Sequence, residues 1–180
     1  MINLFLATGF EEIEAIGTAD ILRRAGLDLQ LVSVTGELTV TGAHSIGIEA
    51  DALFEDVDFF ESDLLVLPGG MPGAANLAAH SDLCERLRDH AYLGRPLAAI
   101  CAAPLVLGRL GLLEGKRATC YPGFEGELEG ATCTGALVEV DGNIVTGKGP
   151  AAVFEFGYAL VELMKDRQTA DALREGMLYK

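Results

Sequence analysis

Apolar and polar residues follow two distinct spacings along this chain. Residues 2–7 form an almost wholly apolar run, which is typical of a β-strand covered on both faces. The next segment repeats apolar residues every three or four positions, as a helix does, at Ile13, Ile16, Ile21, Leu22 and Ala25. Gly26 comes next, and glycine commonly ends a helix. The pattern predicts a buried strand and then a helix that ends at Gly26.

The same succession of short and long segments continues to the end of the chain. Apolar runs predict strands over residues 27–36, 45–50, 63–67, 95–100, 118–121 and 132–134, and a hairpin over 137–146 that turns at Asp141-Gly142. Helical spacing predicts a helix capped by Ser81, one over 103–113 with Pro104 in its first turn, and two more over 149–166 and 169–177.

Strands that alternate with helices predict an α/β protein with a parallel sheet wrapped by helices. The 180 residues suit one domain, and no repeat, linker or low-complexity segment divides them. In such sheets, chemistry collects at the carboxyl ends of the strands. Three of these ends carry unusual residues, in the stretches "ATGFEEIE", "PGGMPG" and "CAAP". We expect the functional site there.

The charge of the chain limits its partners. Lys and Arg number 13 against 27 Asp and Glu, which gives a formal net charge of −14. Such a chain repels nucleic-acid phosphates and anionic membranes, so we expect neither as a partner. No stretch approaches the ~20 apolar residues of a membrane-spanning helix, and the N-terminus lacks the features of a signal peptide. We therefore expect a cytoplasmic protein.

The four cysteines are Cys84, Cys101, Cys120 and Cys133. They form no CxxC motif and no metal-ligand grouping with the three histidines. The glycine-rich stretches match neither a P-loop nor a dinucleotide fingerprint. We expect reduced thiols, no metal and no cofactor, although the short separation of Cys120 from Cys133 leaves a bridge between them open.

Cys101 is the strongest candidate for chemistry. It lies where a predicted buried strand becomes a helix, a turn that presents a side chain to the helix N-terminus. Backbone N–H groups and the helix dipole at such a place favour a reactive thiolate. A buried cysteine that only fills space is the alternative.

Two further stretches could serve this thiol. Glycine-rich backbone over residues 68–76 could direct N–H groups at an oxyanion or could simply form a tight turn. Glu11, Glu12 and Glu14 lie in the first turn of a predicted helix, where acidic residues stabilise the helix dipole. Glu14 lies closest to the buried face, where burial raises the pKa of a carboxyl group and lets it donate to a thiolate.

A cysteine–histidine hydrolase is hard to build from this chain. No histidine follows Cys101 directly, and His44, His80 and His90 lie in other segments. Of the functions considered, the sequence therefore favours a hydrolase or an amidotransferase-like enzyme least.

The chain resembles the ThiJ/PfpI superfamily over essentially its whole length. Four stretches carry the resemblance in the correct order: "EEIEAIGTADILRRAG", "DLLVLPGGMPGAANL", "AAICAAPLVL" and "GPAAVFEFGYALVELM". They are most similar to the branch of small dimeric proteins that includes the parkinsonism-associated protein deglycase. Ala102 argues against the peptidase branch, which has a histidine directly after the cysteine.

The resemblance implies a flavodoxin-like three-layer α/β sandwich, with residues 1–180 as one ThiJ/PfpI-type domain. It also implies a nucleophilic Cys101 bonded to a protonated Glu14, with the N–H groups of Gly70 and Ala102 as oxyanion hole. The substrate pocket would include Gly69, Ala103 and Tyr121. Many relatives have glycine at position 103 and histidine at position 121, so Tyr121 puts any step that needs an imidazole in doubt.

The activity implied is a glutathione-independent glyoxalase or a protein deglycase that acts on small aldehydes or their adducts. The resemblance further implies a homodimer packed partly through the first helix, with Arg24 and His44 near the interface and the pocket. The same residues also suit a different class of function, a redox sensor or stress-linked chaperone. In such a protein Cys101 would be oxidised once, and no aldehyde would be turned over.

Overall fold

A seven-stranded sheet forms the centre of the computed structural model, which describes residues 1–179. Lys180, the last residue of the predicted domain, lies outside the described residues. The strands are β1 Ile2–Leu6, β2 Leu29–Ser33, β3 Thr39–Thr41, β4 Gly47–Glu49, β5 Ala52–Leu53, β6 Leu64–Leu67, β7 Leu97–Ile100, β8 Arg117–Ala118, β9 Thr132–Cys133, β10 Val138–Asp141 and β11 Ile144–Gly147. The helices are α1 Glu12–Arg24, α2 Gly73–Ala79, α3 Ser81–Tyr92, α4 Pro104–Arg109, α5 Val153–Met164 and α6 Arg167–Gly176.

The strand order of the large sheet is β10-β11-β7-β6-β1-β2-β5. Every pair in it is parallel except the hairpin of β10 and β11. The chain passes from β1 outward to β2 and β5, and then returns to β6 on the other side of β1. Such a reversal opens a crevice at the carboxyl ends of the two central strands. The fold therefore places "ATGFEEIE" and "PGGMPG" side by side.

Helices cover both faces of this sheet, which confirms the predicted three-layer α/β sandwich. In β1, Leu4 and Leu6 pack with α1 and α5, whereas Phe5 packs on the opposite face with α3 and α4. Successive side chains of a strand point to opposite faces, so an unbroken apolar run is what a strand between two helical layers requires. No helix of residues 1–179 is both long and apolar enough to cross a membrane.

Several local predictions are confirmed. Helix α1 ends at Arg24, and Gly26 takes φ +68°, a left-handed conformation that glycine adopts without strain. Pro104 is the first residue of α4. Other details differ from the sequence prediction, among them the short edge strand β5, which was not predicted. The strand β3 was not predicted, and the cap of α3 is His80 in place of Ser81, because the His80 Nδ1 atom accepts the N–H of Leu83 at 3.1 Å.

A buried histidine makes the stability of this fold depend on pH. His90 is only 3% exposed, and burial, with a contribution from the charge of Arg95, lowers its pKa from 6.5 to about 4. The unfolded chain therefore binds a proton at this imidazole that the folded protein does not bind between these pH values. We expect this imidazole alone to lower the free energy of unfolding by about 3 kcal/mol as the pH drops from 6.5 to 4.

Urea denaturation at pH 7, 6, 5 and 4 checks this expectation. The difference in unfolding free energy between the wild type and His90→Leu should change by about that amount across the series, because leucine does not titrate. Parallel pH profiles for the two proteins would contradict the assignment.

Candidate active site

Cys101 lies on a strained turn between β7 and α4. Its φ is +65°, a region that residues other than glycine rarely adopt. Two backbone hydrogen bonds hold it there: its N–H donates to the carbonyl of Gly147 at 2.8 Å, and its carbonyl accepts the N–H of Tyr121 at 2.8 Å. The side chain is 8% exposed. This is the strand-to-helix elbow that the sequence predicted, and it fixes the direction of the thiol.

Glu14 reaches the same place from the first turns of α1. Glu11 caps this helix by accepting the N–H of Glu14 at 2.7 Å through its Oε2 atom, and Glu14 itself is fully buried. The Glu14 Oε2 atom accepts the N–H of Gly69 at 2.8 Å. Among the described residues, the Oε1 atom has no partner with regular hydrogen-bond geometry. One carboxyl oxygen is thus anchored and the other is free to act on the thiol.

Gly69 is where the acid and the thiol meet. A Cβ atom added there would lie 2.6 Å from the Cβ of Cys101 and 2.7 Å from Glu14 Oε2. Any side chain at this position would therefore push the two groups apart. The structure thus brings together three predicted residues from separate segments of the chain, the first and last of which are 87 positions apart in the sequence.

Burial dominates the electrostatics of Glu14. It raises the pKa of the carboxyl group from 4.5 to about 7, against the smaller lowering effects of hydrogen bonding to Cys101 and to Gly69. At neutral pH both protonation states of this group are therefore populated. A carboxyl group in that range can accept and return a proton during one reaction.

Burial also raises the pKa of the Cys101 thiol, and the nearby Glu14 carboxylate raises it further. The N–H groups of Gly70 and Ala102 act in the opposite direction, as expected for an oxyanion hole, but their effect is smaller. The expectation of a lowered thiol pKa is therefore wrong for the resting site. Because Glu14 supplies part of the opposing effect, the thiolate becomes favourable when its proton moves to that carboxylate.

The backbone at Gly70 leaves no room for a side chain. Its φ is +87°, and a Cβ atom there would lie 2.6 Å from the carbonyl oxygen of Gly9 and 2.7 Å from the carbonyl carbon of Phe10. We expect Gly70→Ala to lower the free energy of unfolding by at least about 3 kcal/mol, through the left-handed conformation and these backbone contacts together.

Gly36→Ala is the matched control for this prediction, measured by urea denaturation. Gly36 has φ +80° but no neighbouring atom within 4 Å of an added Cβ, so its substitution should cost only the conformational term of about 1–2 kcal/mol. Equal losses of stability in the two variants would show that crowding at Gly70 is unimportant.

The other predicted pocket residues are placed differently from one another. Tyr121 is 47% exposed, and its ring lies 3.2 Å from the point where a Cβ of Gly149 would stand. Ala103 is fully buried in the layer formed by α2, α3 and α4. Tyr121 thus faces solvent next to the Cys101 turn, whereas Ala103 faces the core, and the part of either residue in substrate binding stays a prediction.

Sequence reasoning missed the contact between Glu12 and His44. The two oxygens of Glu12 accept the backbone N–H of His44 and contact its Nδ1 atom, each at 2.7 Å. Among residues 1–179, Glu11, Glu12 and His44 are also the one group of three side chains whose ligand atoms lie within 4.8 Å of one another. Glu11 caps α1 and Glu12 holds His44, so these contacts tie the loop after β3 to the start of α1. Glu12 and His44 are 32 positions apart in the sequence, so only the folded structure reveals this contact.

A family model described as the DJ-1/PfpI family matches residues 1–163. The chain belongs to the DJ-1/PfpI family. This family member is 42% identical over 167 residues to the protein DJ-1 homolog B of Arabidopsis thaliana, which aligns with 92% of this chain. The chain spans 38% of the length of that plant protein.

A relative of similar length carries a name that states an activity. The deglycase of Pyrococcus horikoshii is 33% identical, and the alignment covers 90% of this chain and 98% of that protein. Among solved structures, the oxidized DJ-1 of Toxoplasma gondii superposes with a TM-score of 0.95 at 34% identity, over 99% of this chain and 97% of the other. The fold of this DJ-1/PfpI family member is therefore the flavodoxin-like fold that the resemblance implied.

Proposed function

We propose that the protein is a cysteine-dependent, glutathione-independent glyoxalase or deglycase that acts on methylglyoxal or on glyoxal-derived adducts. The observation that supports this most is the Cys101–Glu14 pair, in which a nucleophile on a strained elbow adjoins a carboxyl group of pKa about 7. The deglycase named among the relatives supports the same class of substrate.

The first step is addition to the aldehyde. As Glu14 takes the proton of the thiol, the Cys101 sulfur bonds to the aldehyde carbon and the carbonyl electron pair moves to oxygen. The resulting alkoxide is stabilised by the N–H groups of Gly70 and Ala102, which already face the sulfur. Glu14 then returns the thiol proton to this oxygen, which gives a hemithioacetal and regenerates the Glu14 carboxylate.

The second step moves a proton between carbons. A base removes the C–H proton of the hemithioacetal, and the adjacent ketone carbon receives a proton, which converts the adduct to the thioester of lactate. Glu14 is the group placed to carry this proton, because it is buried and titrates near neutral pH. Water then hydrolyses the thioester, which releases lactate and restores the thiol without any external oxidant or reductant.

The experiment is to incubate the purified protein with methylglyoxal in the absence of glutathione and to quantify lactate per subunit. Many equivalents of lactate support an enzyme. Less than one equivalent, together with the addition of two oxygens to Cys101 by peroxide in a mass spectrum, would favour the redox sensor or chaperone instead.

We also propose that the protein is a cytoplasmic homodimer. Ile13 is 61% exposed and Ile16 is 36% exposed on the same side of α1, next to the start of the active site. Apolar side chains left together in water in this way are typical of an interface between subunits. All four cysteines are free thiols, as expected in a reducing compartment.

Replacing Ile13 with glutamate is expected to shift the protein from dimer to monomer, because the substitution buries a charge in the proposed interface. Light scattering coupled to size-exclusion chromatography measures this directly. Leu93→Glu is a matched control, since Leu93 is 57% exposed at the end of α3 and away from α1. A monomeric wild type, or dissociation by both variants, would count against the α1 interface.

A further inference from the structure

Two thiols that the proposed reaction does not use lie on neighbouring short strands. In the parallel pair of β8 and β9, Ala118 lies opposite Cys133, and the N–H of Thr134 extends the ladder by donating to the carbonyl of Ala118 at 2.9 Å. Cys120 follows Ala118 by two residues. Cys120 lies just beyond the end of β8, and continuing the alternation of the strand from Ala118 would place Cys120 on the same side of this ladder as Cys133.

Glu125 lies near both sulfurs. The Sγ atom of Cys133 lies 3.8 Å from the carbonyl oxygen of Glu125. The Glu125 carboxylate raises the pKa of both thiols, after the larger effect of burial, and Cys133 itself contributes to the raised pKa of Cys120. Cys120 is 4% exposed, whereas Cys133 is exposed to solvent.

The two residues are close enough to bridge after a small movement. Strand spacing of about 4.8 Å and a rise of about 3.3 Å per residue place their Cα atoms about 8 Å apart, slightly beyond the upper limit of about 6.8 Å for a disulfide. Strand β9 can supply this shift. It has two residues, both exposed, and Gly135, two residues after its end, is a position at which an added Cβ would meet no atom within 4 Å.

We propose that Cys120 and Cys133 form a reversible intramolecular disulfide when the protein meets a hydroperoxide. The exposed Cys133 reacts first: its sulfur takes the terminal oxygen of the hydroperoxide and becomes a sulfenic acid, and the rest of the oxidant leaves as an alcohol or as water. The Cys120 sulfur then attacks the Cys133 sulfur. The S–S bond forms, the S–O bond breaks, and the departing hydroxide leaves as water with the proton of Cys120.

This modification site is distinct from the proposed catalytic thiol. Cys101 is held by Gly147 and Tyr121 on its elbow, and the charges that affect its pKa do not include either of the other two thiols. The disulfide would nevertheless affect the active site, because the backbone connects Cys120 to the turn that holds Cys101. Cys120 directly precedes Tyr121, whose N–H holds the carbonyl of Cys101.

The test uses full-length protein in the Cys101→Ala background, so that oxidation of the catalytic thiol does not obscure the result. The protein is treated with hydrogen peroxide at pH 8.5, because the raised pKa of both thiols makes the reaction slow at neutral pH. We expect a mass about 2 Da below that of the reduced protein, a cross-linked pair of peptides that contain Cys120 and Cys133, and recovery of the original mass with dithiothreitol.

Matched variants decide which thiols are bridged. Adding Cys133→Ser or Cys120→Ser should abolish the loss of about 2 Da, whereas Cys84→Ser should retain it, because Cys84 lies in α3 against the carbonyl of Ala78. Two results would overturn the proposal. One is that Cys120 and Cys133 are both still alkylated by iodoacetamide after oxidation and denaturation, and the other is that Cys133 links only between two copies of the chain.

Discussion

Cys101→Ala is expected to reduce lactate formation from methylglyoxal by at least about 10³-fold. The reason is that the sulfur forms the covalent adduct on which every later step depends, and no other nucleophile of the elbow can replace it. Steady-state assays at several substrate concentrations measure the effect. Because the step lost is chemical, kcat should fall much more than KM rises.

Two controls separate this loss from a loss of structure. Cys84→Ala also removes a buried thiol, but in α3, and it should keep wild-type activity to within a few fold. Cys101→Ser keeps the size and the hydrogen bonds of the side chain, yet it should be nearly as inactive as alanine, since the hydroxyl is a much weaker nucleophile. Turnover by Cys101→Ala close to that of the wild type would remove the thiol from the mechanism altogether.

Glu14→Gln is expected to reduce kcat by about 10²- to 10⁴-fold, the usual contribution of a positioned general acid and base. Glutamine can still accept the N–H of Gly69 and can donate an N–H toward the sulfur, so the geometry of the site is retained. What it cannot do is take the proton of the thiol or move a proton between carbons. The wild-type rate should also rise with pH through about 7, as Glu14 ionises, and Glu14→Gln should lack this inflection.

A second readout of Glu14→Gln does not depend on activity. In the unfolded chain Glu14 loses its proton near pH 4.5, but in the folded protein it does so near 7. The folded state therefore binds more protons between these values, so the contribution of Glu14 to the free energy of unfolding should fall by up to about 3 kcal/mol as the pH rises through this range, opposite in sign to the contribution of His90. The glutamine variant should lack this contribution, and identical profiles would show that the carboxyl group is not the buried acid that we describe.

Local signals in the sequence were sufficient for much of the fold. The unbroken apolar run of β1 and the left-handed Gly26 after α1 are each explained by a few neighbouring residues, and so is Pro104 at the start of α4. The errors arose where partners are distant or where two local signals compete. Strand β3 exists because it pairs with β4, and His80 displaces Ser81 as cap because its ring nitrogen reaches the N–H of Leu83.

The sequence by itself determined the α/β class, the elbow at Cys101 and the residue types that a thiol-based site requires. The spacing of apolar residues, the ends of helices and the turns at glycines each depend on interactions between residues that are close in the sequence. Only the tertiary structure decided how acidic these groups are. The pKa of Glu14 and of Cys101 depends on how much water the packed helices exclude, and on contacts with Gly69 and Gly70 that the chain reversal between β1 and β6 creates. Burial is a property of the assembled layers, and no short stretch of sequence contains it.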